Sequence, residues 1–225
     1  MNKLPVHIPL FPLTGAILLP KGHLPLNIFE PRYLEMVENA HDTTKIIGMV
    51  QPRGTYVSSS IQNNDLFGTA AKKQDIYDIG CAGRITEIEK TAEGQYFIVL
   101  TGVSRFKIIE ELPKTSSYRE AYADYSAFNH DGDQRLANRE ESKVTFLKTL
   151  QRYLTKLDMK IDLTTLEGIN DEELMNSMAM ICPFDAAEKQ LLLESSSLDD
   201  RVNLMVKIMD FNLTKHPVSS DRNLH

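Results

Sequence analysis

The apolar positions change their period once along the chain. Up to about residue 128 they come in short runs fenced by proline, glycine and polar clusters, as strands do; beyond it they recur at helical spacing. Prolines at 5, 9 and 12 push the residue before each toward extended geometry, so Leu4 to Leu10 reads as extended. Ile17 to Leu19 and Leu24 to Phe29 are short runs bounded by Pro20, Gly22 and Pro25. Pro31 sits where a first helical turn tolerates it, and Tyr33, Leu34, Val37 and Ala40 follow at spacings of three and four. The pattern predicts an amphipathic helix over 31–41, then a buried strand over Lys45 to Gln51.

From Arg53 to Asp75 the periodicity fades. Ser58-Ser59-Ser60 and Asn63-Asn64-Asp65 read as loop, with a short strand possible only at Phe67-Gly68-Thr69. A segment this long without its own pattern is a candidate for a mobile, functional loop. Gly80 to Tyr125 is the clearest β region. Ile85 to Lys90 and Tyr96 to Thr101 flank Thr91-Ala92-Glu93-Gly94, a four-residue hairpin loop. Ile85 and Ile88, three apart, break the alternation and predict a bulge or an all-buried stretch. Val103 to Leu112 is a further strand, and Tyr118 to Phe128 a closing one. Several short strands with one helix predict a small closed or nearly closed barrel.

After the turn-rich Asn129-His130-Asp131-Gly132-Asp133, Leu147, Leu150, Leu154 and Leu157 form a helical stripe within 134–157. Three capping signatures follow: Asn170 with Glu173, Asp185 with Glu188, and Ser197 with Asp200. The short loops between them favour antiparallel packing into a bundle. The expected fold class is α+β, with a β-barrel domain over 1–128 and a helical bundle domain over 129–225.

Charge sharpens the division. The chain of 225 residues carries a formal charge of −6, of which residues 1–127 contribute −1 and residues 128–225 contribute −5. A protein held to nucleic acid mainly by charge needs a basic surplus, and neither half has one. No apolar window approaches the roughly 18 residues of a membrane span. Prolines also interrupt the N-terminal apolar run that an export signal would need. The expectation is a cytoplasmic chain with no membrane contact.

Candidate chemistry is sparse. There is no G-x-x-x-x-G-K-[ST] phosphate loop, no G-x-S-x-G elbow and no H-E-x-x-H motif. The six histidines are scattered without metal-ligand spacing, and the two cysteines, Cys81 and Cys182, fall in different halves. Cys81, between Gly80 and Gly83, reads as a small buried residue rather than a nucleophile. Glu30, Arg32 and Tyr33 stand at a strand-to-helix corner, where a charged pair could meet a ligand or simply cap the helix. Arg84 and Arg105 lie inside strands, as partners of carboxylates such as Glu87 or Glu110 or as the lining of a groove. The methionines of the helical half fit buried stripes.

Six separated segments, in order, resemble a known family. They are Ile8-Pro9-Leu10-Phe11-Pro12-Leu13 running into Leu18-Leu19-Pro20; Leu24-Pro25-Leu26-Asn27-Ile28-Phe29-Glu30-Pro31-Arg32-Tyr33; Ile47-Gly48-Met49-Val50-Gln51; Gly80-Cys81-Ala82-Gly83-Arg84-Ile85; Leu100-Thr101-Gly102-Val103-Ser104-Arg105-Phe106; and Cys182-Pro183-Phe184-Asp185-Ala186-Ala187-Glu188-Lys189-Gln190-Leu191-Leu192. Together they look like the stand-alone bacterial proteins similar to the N-terminal, substrate-binding domain of the ATP-dependent Lon protease. The resemblance covers roughly 5–212. It implies a PUA-like β domain followed by a helical bundle, and a role in recognising protein substrates. The ATPase and Ser-Lys protease modules of that protease lie beyond the region of resemblance, so no catalytic residue carries over and the expectation is a non-catalytic module without cofactor or metal.

The function expected is binding of unfolded or tagged polypeptides or of a protein partner, as an adaptor or chaperone-like factor in proteolysis. RNA binding by a PUA-like fold and binding of a small ligand are the alternatives. Within the β half, Tyr56, Ile61, Leu66 and Phe67 fall outside any core pattern, and the polypeptide contact is expected there, by pairing at a sheet edge or in a groove.

Overall fold

The computed structural model describes residues 4–54, 75–113, 115–159 and 168–215. Its fold is α+β. Strands β1 (His7–Pro12), β2 (His23–Ile28), β3 (Ile46–Val50), β4 (Ile79–Lys90), β5 (Tyr96–Glu111) and β6 (Arg119–Asp124) form one sheet, with helix α1 (Pro31–Asp42) between β2 and β3. Helices α2 (Arg139–Lys156), α3 (Asp171–Ile181), α4 (Ala186–Glu194) and α5 (Leu198–Lys215) follow.

The strand order is β2-β5-β4-β3-β1-β6, and β6 also pairs with β5. Five strands therefore close a circuit, and β2 hangs on its outside, paired among the described residues with β5 alone. β5 makes this possible by its length. What the sequence divides into two strands is one strand of 16 residues, continuous through Gly102. Its first half pairs with β2 and β4 and its second half with β4 and β6. The irregularity predicted at Ile85 and Ile88 is present as a register shift between Ile85 and Glu87. The hairpin turn closes through the Thr91 N–H to the Gln95 carbonyl at 2.8 Å.

β3 is buried along its whole length because both its faces are covered. Ile46 and Val50 join Ile8, Leu10, Phe106, Ala121 and Ala123 inside the circuit, whereas Ile47 and Met49 face a second and larger core. Glycine makes room for the Phe106 ring: a Cβ at Gly48 would stand 2.9 Å from it, and one at Gly80 2.8 Å. On β6 the inward residues are Ala121 and Ala123, while Tyr122 points out. A closing strand is present but shorter than the expected Tyr118 to Phe128: β6 ends at Asp124, Ser126–Phe128 is a 3-10 turn, and the core side of the strand is the alanine side.

The larger core joins strands to helices. Tyr33, Met36, Val37 and Ala40 of α1 lie in it together with Phe146, Leu150, Tyr153 and Leu154 of α2 and with Leu198, Val202, Met205 and Met209 of α5. α2 starts at Arg139, later than the stripe suggests, and its buried face is rotated to take in Phe146, Thr149 and Tyr153 while Leu157 is exposed. The three capped starts are observed. Asn170 accepts from the Glu172 and Glu173 amides, Asp185 and Glu188 form a reciprocal capping box, and the Asp200 amide donates to Ser197.

Two buried guanidinium groups tie the end of α4 down, Arg105 from β5 and Arg201 from α5. Arg105 donates to the Leu193 and Ser195 carbonyls and Arg201 to the Leu192 carbonyl, so the unpaired last turn of α4 meets cations. Arg201 also donates to the Asn176 side-chain oxygen at 2.7 Å, and Asn176 donates to the Pro20 carbonyl at 2.9 Å. Burial, followed by repulsion from Arg105, lowers the pKa of Arg201 to about 10.

Candidate functional site

The segment that opens β2 is a tight turn. Gly22 N–H donates to the Leu19 carbonyl at 2.9 Å, Pro20 takes the second position and Lys21 the third with φ of 63°. These are the marks of a type II turn, whose third position disfavours any side chain. Lys21 is held in it by its ammonium, which lies 3.0 Å from the buried Glu172 carboxylate of α3. With the Asn176 bond to Pro20, α3 fixes the start of β2 at two points.

Along β2 the side chains alternate. Leu24 and Leu26 are half-buried and Ile28 buried, while His23, Pro25 and Asn27 are exposed. Phe29 breaks the rule. It is an apolar residue on the outward parity, 63% exposed. Beyond it, Glu30 caps α1 by position, without a side-chain bond to the helix amides. Its carboxylate instead takes the Arg32 guanidinium at 2.7 Å, and that guanidinium lies 4.5 Å from the centre of the Tyr33 ring. The pair that the sequence leaves open between ligand contact and helix capping is therefore an exposed ion pair stacked on an aromatic face.

Opposite β2 stand Phe11, Pro12, Leu13 and Thr14, at the end of β1. Between these two walls lies a groove of 360 Å³ that also touches Arg32 and Tyr33. Phe11 and Tyr33 meet edge to face beneath it, with centroids 4.4 Å apart. The β1 wall is braced from behind. Leu13 N–H donates to the Val50 carbonyl at 3.0 Å, Gly15 N–H to the Gln51 side chain at 3.1 Å, and the Lys189 ammonium of α4 to the Gly15 carbonyl at 2.9 Å. Burial lowers the pKa of Lys189. Both walls are thus positioned by helices far along the chain, β2 by α3 and the β1 end by α4. The groove itself is mostly apolar, with Thr14, Asn27 and the Glu30–Arg32 pair as its polar lining.

Tyr56, Ile61, Leu66 and Phe67, the residues expected to meet a polypeptide, lie outside the described residues. The described ends of their segment meet: Arg53 N–H donates to the Asp75 carbonyl at 2.7 Å, and Pro52 bridges Ile76. That neck follows Gln51 directly, beside the braced wall of the groove. The sequence reading did not single out Leu13 or Phe29 as contacts. An apolar Phe29 on the same parity as His23, Pro25 and Asn27 was the available signal.

Other candidates resolve into structure. Arg105 pairs with Asp131, and not with Glu87 or Glu110. Burial pushes both thiols up, Cys81 far beyond the usual range and Cys182 to about 12, which keeps them protonated. Glu38 is exposed and its pKa is lowered by the Tyr96 hydroxyl, then by Lys90. Among the described residues, no group of three or more His, Cys, Asp or Glu is placed to hold a metal ion. Likewise, no helix among them is long and apolar enough to cross a membrane.

The described residues thus form an α+β fold with a largely apolar groove between β2 and the end of β1. The chain belongs to the ATP-dependent protease La (LON) substrate-binding domain family, whose sequence model matches residues 7–210. It is 25% identical over 219 residues to the Lon protease of Anaeromyxobacter dehalogenans, covering 93% of this chain and 24% of that one. Lon protease 1 of Bacillus subtilis is 25% identical over 214 residues, covering 91% of this chain and 24% of that one. The chain spans about a quarter of the length of the curated relatives it matches. Among solved structures, a Lon N-terminal domain protein from Xanthomonas campestris superposes with a TM-score of 0.60 at 18% identity, covering 89% of this chain and 97% of that one. The N-terminal domain of Mycobacterium avium complex Lon protease gives 0.61 at 13% identity, covering 91% and 98%.

Proposed function

We propose that this protein is a non-catalytic polypeptide-binding module, an adaptor or chaperone-like factor in proteolysis, that takes unfolded protein into the groove between β2 and the end of β1. The strand circuit is read as a PUA-like barrel over 1–128 and the helices as a bundle over 129–225. The observation that carries the reading is Phe29: a large apolar side chain left in solvent at the mouth of an apolar groove, in a chain of a substrate-binding domain family. Burying such a ring against a ligand is worth about 1.5–3 kcal/mol.

Replacing Phe29 by Asp tests this at little cost to folding, because the side chain is exposed. A fluorescent, reduced and carboxymethylated casein should bind the wild-type chain, and Phe29→Asp should raise its Kd by about tenfold or more. Equal Kd values would remove the groove from the account. Absence of binding to the wild-type chain would remove the function.

A further inference from the structure

We propose that the groove takes its ligand as an added β-strand on the outer edge of β2, with the ligand's amides used at every second residue. The inference rests on the polypeptide-binding reading and adds the mode of binding and the kind of segment selected.

The argument starts from hydrogen-bond phase. In an antiparallel pair, bonded and non-bonded residue pairs alternate. Gly102 N–H donates to the Gly22 carbonyl at 2.9 Å, and although the turn takes the Gly22 N–H for Leu19, this one bond puts 22 and 102 in the bonded phase. The register then puts Leu24 with Leu100, Leu26 with Ile98 and Ile28 with Tyr96 in bonded pairs. His23, Pro25 and Asn27 fall in the non-bonded pairs, so their main-chain groups point away from β5.

Two further facts agree with this phase. The His23 ring and the Thr101 hydroxyl lie 3.0 Å apart, as side chains do across a non-bonded pair. Pro25 has no N–H, and only in this phase is the missing donor on the side where β5 does not need it. Among the described residues no strand pairs with the outer edge of β2.

That edge therefore presents carbonyls at His23, Pro25 and Asn27 but N–H groups only at His23 and Asn27. A strand laid along it can offer an amide to each of three carbonyls, spaced two residues apart. It has a donor for its own carbonyls only at the two ends. Pro25 also discourages a second copy of β2 from occupying the edge, since two antiparallel copies centred on it would face proline to proline. The ligand's side chains alternate between the solvent side, with His23 and Asn27, and the groove side, with Leu26, Leu13 and Phe11. The segment favoured is an extended one with an apolar residue at every second position, the pattern of a strand that is half-buried in a folded protein and bare in an unfolded one. An amphipathic helix repeats at 3.6 residues and presents no free amides, so it matches neither feature.

The experiment uses capped, dye-labelled hexapeptides of alternating valine and threonine, the length of β2, titrated into the full chain. Backbone N-methylation is moved one position at a time. The expected result is a period of two: methylation at alternate positions weakens binding at least tenfold, and at the positions between them it changes little. Binding of the parent peptide with equal losses at all positions would overturn strand addition while leaving the groove as the site. A parent peptide that does not bind, where unfolded casein does, would also overturn it. Failure of both to bind would overturn the functional reading on which the inference stands.

Discussion

Gly102→Ala should destabilise the protein by about 3 kcal/mol, the upper end of what overpacking costs. For a chain of this size that lowers the thermal midpoint by roughly 6–12 °C. A Cβ at Gly102 would stand 2.0 Å from the Leu19 carbonyl oxygen and 2.7 Å from its carbon, both main-chain atoms that no rotamer change can move. Alanine ordinarily suits a strand better than glycine, by about 0.5–1 kcal/mol, and this gain is overwhelmed. The approach is so close because the turn at Leu19 to Gly22 is bonded to Gly102 on both sides, through Lys21 N–H to its carbonyl and through its N–H to Gly22. The same turn launches β2. The variant should therefore also bind unfolded polypeptide less well, even below its lowered midpoint. A midpoint within about 2 °C of wild type, read by circular dichroism, would show that the contact is not the constraint described.

Asp131→Ala should cost about 3–5 kcal/mol in urea unfolding. The side chains of Arg105 and Asp131 are each only 1% exposed, and the carboxylate receives the guanidinium at 2.8 Å as well as the Arg105 main-chain N–H at 2.8 Å. Removing the carboxylate leaves a buried cation between the Phe128 ring, 4.5 Å away, and the last carbonyls of α4. The stranded charge is what costs; a matched pair in the same place contributes little against an apolar replacement. Arg105→Met combined with Asp131→Ala should accordingly be milder than Asp131→Ala alone, even though the Leu193 and Ser195 carbonyls lose a donor. Additive losses in the double variant would contradict this. The exposed Arg32–Glu30 pair provides the contrast, since such pairs are worth about 0–1 kcal/mol.

Much of this architecture could be read from local sequence. Pro31, the fully apolar Ile46-to-Val50 run, the Thr91-to-Gly94 turn and the three helix caps act over a few residues, and each element stands where its pattern puts it. What failed to show was non-local. Glycine at 102 inside β5 answers to the close approach of Leu19, more than 80 positions away in sequence, and so does not mark a strand break. The partner of Arg105 is an aspartate in a turn that reads as mere punctuation, and the inward face of β6 is alanine because Phe106 already fills the interior. The groove is legible only in part. Glu30, Arg32 and Tyr33 stood out as a corner, but the facing wall comes from Phe11 to Thr14, braced at Gly15 by Lys189, and no spacing rule joins residues 15 and 189.

The claim that unfolded polypeptide enters between β2 and the end of β1 is tested most directly by photo-crosslinking. Benzophenone side chains placed singly at Phe29, Leu13, Val144 and Phe211 would be irradiated with reduced, carboxymethylated casein bound. Val144 and Phe211 are exposed apolar positions on α2 and α5, so they control for contact driven by hydrophobicity alone. The account predicts adducts from positions 29 and 13 and none above background from 144 and 211. Adducts concentrated at 144 and 211, with 29 and 13 silent, would place the binding surface on the helices and contradict it.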